Sequence, residues 1–232
     1  MDMLLYNIGE LASLSSGDVS KPLSGADMSD YDNLVFEPGQ GILISNGLIE
    51  KISPEEELLE EFAPDTENNR SSHVELMNVE GRAIIPGLVD CHTHLLWSGD
   101  RSNEIRMRQN GLSYQEISEQ GGGIAKTVEF TRKSSQDDLE RIGRKNLSKS
   151  STYGTTTLEA KSGYGLSVDS EIKLLEVTNL LHGENQNVMP TWLGAHDFPK
   201  DKTHSEYMDE LIHEQLPLIA ENKLSNWIDV FC

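Results

Sequence analysis

The sequence predicts an α/β fold in two parts: a small β-rich region over residues 1–80 and an array of parallel β/α units over residues 81–232. Three observations carry this. Asn46-Gly47 sits between the apolar runs of residues 42–49, a strong short-range hairpin signal. From residue 87 onward, strand-like and helix-like patterns alternate, as parallel β/α units do. The chain stops inside an apolar run, Trp227-Ile228-Asp229-Val230-Phe231-Cys232, of the kind found in the middle of a parallel sheet. With four strands counted and an edge left open there, the chain reads as the N-terminal part of a longer protein.

In order, residues 3–7 and 42–49 are expected as strands, and the Ser-, Gly- and Asp-rich stretch 11–34 between them as a mobile loop. Residues 54–69, rich in acids, read as a short helix or an exposed loop. Residues 73–79 alternate as another strand, so the first part should be a small antiparallel sheet. Pro86-Gly87 then turns the chain into a buried strand running to His94. Helices are expected at 114–120 and 135–150, the second with Leu139, Ile142 and Leu147 on one face. Thr155–Lys161 is a β-branched strand after Gly154. A helix follows over 169–182, with Asp169 as its N-cap and Ile172, Leu174, Leu175, Val177 and Leu180 as apolar positions. Residues 187–195 form the next strand, 205–222 a helix broken or kinked at Pro217, and 227–232 the last strand.

Composition narrows the function classes. The 232 residues carry 39 acids and 19 bases, a net charge of −20. Nucleic acid and anionic membranes are excluded as partners, since both demand a basic surface. The acids are concentrated: residues 1–80 hold 17 acids against 3 bases, read as a solvated acidic face. Cys91 and Cys232 are the only cysteines, which fits a reducing compartment and points to the cytoplasm. No run approaches 18 apolar residues, and the N-terminus lacks the features of a signal peptide.

The sharpest chemical signal is Pro86-Gly87-Leu88-Val89-Asp90-Cys91-His92-Thr93-His94. Residues two apart on a strand share a face, so His92 and His94 project together from its C-terminal end. Two imidazoles at that spacing can hold a transition metal. Cys91 falls on the other face and reads as a small core residue.

The run Gly81-Arg82-Ala83-Ile84-Ile85-Pro86-Gly87-Leu88-Val89-Asp90-Cys91-His92-Thr93-His94 resembles the amidohydrolase superfamily. Four further segments narrow the likeness, in register: His94–Arg101, Gly121–Ile124, Glu159–Leu166 and Trp192–His196, with Asp229–Cys232 closing the series. Together they are similar to the branch of that superfamily that opens an imidazolone ring in histidine degradation. The resemblance implies a TIM-like (β/α)8 barrel, of which about the first half is here, and a small N-terminal β-sandwich subdomain. It implies a metal-dependent hydrolase that converts 4-imidazolone-5-propanoate to N-formimidoyl-L-glutamate, with one Zn²⁺ or iron per site and a homodimeric full-length protein.

Residue by residue, the resemblance makes His92 and His94 metal ligands and Arg101 the group that holds the propionate. A guanidinium fork suits a carboxylate. Tyr164, in a Gly-flanked loop, and His196, at the end of the next strand, match substrate-binding positions, and Tyr114 matches one near the substrate carboxylate. The catalytic acid/base and the remaining metal ligands are expected beyond residue 232, so the chain alone is expected to be inactive. The Ser162–Gly165 and Leu193–His196 segments speak against a deaminase or another cyclic amidase, and a non-catalytic scaffold is the reading from a different class. Gly121–Gly123 lacks the Lys-Ser/Thr of a phosphate loop and reads as a flexible loop near the site. Lys161 reads as structural or supporting, and His73, His182, His204 and His213 as surface groups.

Overall fold

A computed structural model describes residues 2–13, 21–62, 74–183 and 186–231. His73, Cys232 and parts of the 11–34 and 54–69 segments lie outside the described residues. The chain divides into two compact units, Met1–Pro86 and Gly87–Cys232.

The first unit runs β1 (Asp2–Tyr6), β2 (Glu10–Leu11), a helical turn α1 (Tyr31–Leu34), β3 (Gln40–Ser45), β4 (Leu48–Pro54), α2 (Glu55–Phe62), β5 (Val74–Asn78) and β6 (Ala83–Ile84). Asn46 and Gly47 both take positive φ, 52° and 79°, and join β3 to β4 as the expected tight hairpin. The sheet order is β4-β3-β1-β5. It is mixed rather than antiparallel, because β5 lies parallel to β1, and β2 pairs β6 in parallel too. Parallel neighbours need a crossover instead of a hairpin, and the stretch through α2 supplies it. Leu58 of α2 is fully buried against Leu4 and Leu43, which covers one face of the sheet. The 11–34 stretch is not wholly loop: it also holds a 3₁₀ turn at Gly25–Ser29, and Ala12 bridges to Val35.

The second unit holds β7 (Leu88–Thr93), α3 (Asn103–Gln109), α4 (Tyr114–Glu119), α5 (Gly123–Lys133), α6 (Gln136–Ser151), β8 (Thr155–Lys161), α7 (Val168–Leu180), β9 (Asn187–Ala195), α8 (His204–Glu210), α9 (Leu216–Glu221) and β10 (Trp227–Val230). Its four strands are all parallel, in the order β10-β9-β8-β7. The core lies between this sheet and the outer helices. Leu158 and Val188 of β8 and β9 pack against Leu139 and Leu147 of α6 and Leu174 and Val177 of α7. A second cluster joins Leu175, Trp192, Tyr207, Leu211 and Ile219. Each such side chain contributes roughly 1.5–3 kcal/mol when fully buried.

Three expectations change here. The strand running to His94 is not buried: among the described residues β7 pairs with β8 alone, at the edge of the sheet, and Val89 is 66% exposed. Asp169 is not the N-cap of α7. Ser167 occupies that position, and Asp169 sits in the first turn, where its charge still favours the positive end of the helix. Leu180, counted among the apolar positions, is exposed. The helix at 205–222 does break near Pro217, through a π-helical segment at Leu211–Gln215. Pro217 then stands in the first turn of α9, directly after the π-helical segment. No helix among the described residues is long and apolar enough to cross a membrane.

Candidate active site

The site gathers at the C-terminal ends of β7, β8 and β9. The ladder between β7 and β8 shifts register between Asp90 and Thr93, so β7 carries an extra residue there. Simple alternation therefore fails at Cys91-His92, and Cys91 is exposed rather than a core residue. His92 is exposed on β7, while His94, just past the strand, is largely buried.

His94 lies in a cluster of rings. It stacks on His196 with centroids 4.6 Å apart and meets Tyr164 at 4.6 Å, and Tyr164 in turn meets His196 edge-on at 5.2 Å. Burial, reinforced by the neighbouring His196, pushes the His94 pKa down to about 4, while the carbonyls of Ser162 and Lys161 work the other way. His94 is thus neutral at neutral pH, and its Nδ1 is a buried polar atom with no protein partner. His196 Nδ1 lies 2.8 Å from the Gly163 carbonyl oxygen. A carbonyl only accepts, so Nδ1 carries the hydrogen and Nε2 is left to face a ligand.

The low pKa of His94 has a consequence for stability. Above pH ~6.5 the ring is neutral both folded and unfolded. As pH falls from there, the unfolded chain takes up a proton that the folded chain refuses, and stability drops until about pH 4. The loss reaches about 3 kcal/mol at its limit. In urea titrations of the metal-free chain, His94→Gln should flatten the part of the decline between pH 6.5 and 4.

Arg101 precedes α3 and lines a cavity of about 620 Å³ together with Trp97, Asp100, Glu104, Arg108 and Tyr164. Its Nε and Nη2 donate to Glu104 at 2.9 and 2.8 Å. The fork is thus held bidentately on a carboxylate that is only 3% exposed, and three of its five N–H groups stay uncommitted to Glu104. This bond raises the Arg101 pKa and lowers that of Glu104. Tyr164 lines the same cavity, and the Tyr114 and Tyr164 phenols both favour the Arg101 charge. Burial raises the Tyr164 pKa and so keeps the hydroxyl protonated, although Arg101 opposes the rise. Tyr114 opens α4, whose Ser113–Glu116 capping box fixes its start, and shares a further cavity with His196 and Phe231.

The glycine run is not a free loop. Gly123 opens α5, and its N–H donates to Glu104 at 2.8 Å. Lys161 is buried and bridges Glu159 at 2.7 Å and Asp229 at 2.9 Å, with Thr191 also donating to Glu159. The ion pairs hold the Lys161 pKa up against burial and the Asp229 pKa down, and His92 adds to the latter. Of the other histidines, His182 bonds the Val188 carbonyl and His204 stacks on Phe198. Sequence reading missed Glu104, Glu171 and Arg132, acids and a base on helix faces that look solvated. The one available sign was the i,i+3 spacing of Arg101 and Glu104.

Gly163 is a tight point of the site. Its φ is +98°, and a Cβ there would lie 2.8 Å from the Leu193 carbonyl oxygen and 2.9 Å from His196 Cβ. Gly163→Ala is expected to cost ~2–4 kcal/mol in chemical denaturation.

Tyr164 joins the two groups. Arg101 and Tyr164 line one cavity, and Tyr164, His94 and His196 form a ring cluster. His92 stands at the edge, sensed electrostatically by His94 and Asp229. Among the described residues, no group of three or more His, Cys, Asp or Glu side chains is placed to hold a metal.

No family model matches the chain. It is 38% identical to the imidazolonepropionase of Symbiobacterium thermophilum over 237 residues, covering 100% of this chain and 52% of the relative. It is 41% identical to that of Colwellia psychrerythraea over 211 residues, covering 89% and 49%. Among solved structures, guanine deaminase from C. acetobutylicum aligns over 100% of this chain and 45% of its own length, at 15% identity and a TM-score of 0.48. The chain spans about half the length of the curated relatives it matches. On these sequence relationships the chain belongs to the imidazolonepropionase family.

Proposed function

We propose that the chain carries the substrate-holding part of a metal-dependent imidazolonepropionase, which hydrolyses 4-imidazolone-5-propanoate to N-formimidoyl-L-glutamate. The observation that carries this is the pairing, through Tyr164, of an Arg101-lined cavity with the His94–His196 ring cluster. Residues 1–80 would be part of an accessory β-sandwich, and residues 81–232 the first four units of a (β/α)8 barrel.

The substrate has a propionate arm and a flat polar ring. Arg101 would take the carboxylate on its uncommitted N–H groups, with the Tyr114 and Tyr164 hydroxyls beside it. His196 Nε2 would accept from a ring N–H, held to that role by the Gly163 carbonyl. Fixing both ends of the substrate orients its ring amide, and positioning of this kind supplies much of a rate enhancement.

His92 and His94 suit a metal: His94 is neutral, and its Nδ1 is buried without a partner. A zinc or iron ion held there with further ligands would supply the Lewis acidity that activates water against the ring amide. Water adds across the C–N bond, leaving a carboxylate on carbon and the formimidoyl group on nitrogen.

The test joins this chain to the complementary half of the Symbiobacterium thermophilum relative and follows N-formimidoyl-L-glutamate by mass spectrometry. The joined, metal-loaded protein is expected to turn over the substrate, and the chain alone is not. A folded, metal-loaded joined protein without turnover would contradict the proposed reaction. Turnover by the chain alone would contradict the need for further ligands.

A further inference from the structure

We propose that Glu171 and Arg132 are positioning residues that clamp the turn Gly163–Leu166 and thereby aim Tyr164 into the site. This rests on the reading of Tyr164 as a substrate-facing group.

The turn is one the chain would not choose unaided. Gly163 has φ +98°, and Leu166, a residue with a Cβ, has φ +48°. Such backbone persists only where the surroundings hold it.

Two side chains from different helices do so. Glu171, in the first turn of α7, is fully buried. Its Oε1 accepts from the N–H groups of Gly165 at 2.7 Å and Leu166 at 2.8 Å, and its Oε2 from Gly163 at 3.0 Å. Three backbone N–H groups of one turn thus converge on a single carboxylate. Arg132, on α5, takes the other polarity. Its Nε donates to the Gly165 carbonyl and its Nη2 to the Leu166 carbonyl, both at 2.6 Å. The turn is thus gripped by its N–H groups on one side and its C=O groups on the other.

Gly165 is needed for this approach, since a Cβ there would come within 2.7 Å of Glu171 Oε1. The Gly163 carbonyl within the same grip holds His196. One clamp therefore sets both the phenol and an imidazole. Neither Glu171 nor Arg132 lines the Arg101 cavity, so they act on that cavity through Tyr164.

Glu171→Gln keeps the shape but replaces one acceptor oxygen with a donor facing N–H groups. The experiment measures amide hydrogen exchange by NMR and affinity for 3-(imidazol-4-yl)propanoate, a stable analogue with the same carboxylate arm. The expected result is at least about tenfold faster exchange at Gly163, Gly165 and Leu166 with about tenfold weaker binding, while β8 and β9 keep their protection. Unchanged exchange in the turn would overturn the clamp. Faster exchange with unchanged affinity would overturn the positioning role and leave a structural one. Tyr164→Phe, measured beside it, separates the underlying reading: full affinity in that variant would remove Tyr164 from the site, whatever Glu171 does. Should Glu171→Gln fail to fold, Arg132→Lys loosens the same turn by removing the fork while keeping the charge, and the same outcomes decide.

Discussion

Arg101→Ala is expected to weaken binding of a propionate-bearing imidazole by about 10–100-fold, the loss of a charge-assisted bidentate contact. The same change should lower stability, because Glu104 would remain as a buried carboxylate without its partner. Breaking a buried pair from one side costs ~3–5 kcal/mol. Here Arg101 is partly exposed, which brings the expectation to the low end of that range. Arg101→Lys separates the two effects. It retains a cation for Glu104 but cannot offer a planar fork, so most of the stability should return without the affinity. Equal loss of affinity and of metal uptake in Arg101→Ala would count against its assignment to the carboxylate. Titration with the analogue and urea denaturation, run on the three proteins, give both readings.

His94→Ala and His92→Ala are each expected to abolish zinc uptake by the chain, measured by elemental analysis after dialysis. Removing either imidazole leaves a lone ligand where the pair could chelate. The two variants should differ elsewhere. His94 packs on Tyr164 and His196, and its loss should also disturb the ring cluster and weaken analogue binding. His92 is exposed, and its loss should leave the unit as stable as before. Zinc retained by either variant would place the metal elsewhere.

Much of the fold could be read along the chain because its signals are local. Asn46-Gly47 forces positive φ at two successive residues, and the hairpin follows. The strands at Thr155–Lys161 and Asn187–Ala195 begin and end where β-branched and apolar runs do. What was not legible depends on neighbours. Leu88 and Val89 have the composition of a covered strand, but their exposure is set by β7 lying at the sheet edge. The extra residue between Asp90 and Thr93 comes from pairing with β8, so two-residue alternation misplaced Cys91.

α3 hides its buried position behind a charge: the residue it buries is Glu104, while Ile105 beside it is exposed. An acid reads as a surface residue unless its partner is known. Glu171 eluded sequence reading for the same reason, since its partners are backbone N–H groups that no composition reveals. The candidate ligand groups themselves, Arg101, Tyr164, His94 and His196, were named from motif resemblance. The acids and the arginine that hold them in place emerged only with the fold.

The most direct test of the central claim is an NMR titration of this chain with 3-(imidazol-4-yl)propanoate against 4-propylimidazole, which lacks the carboxylate. Saturable shifts at Arg101, Gly123 and Tyr164 with the acid, and none with the neutral analogue, are the expected result. Equal responses to the two compounds, or shifts confined to other residues, would contradict a propionate site built on Arg101.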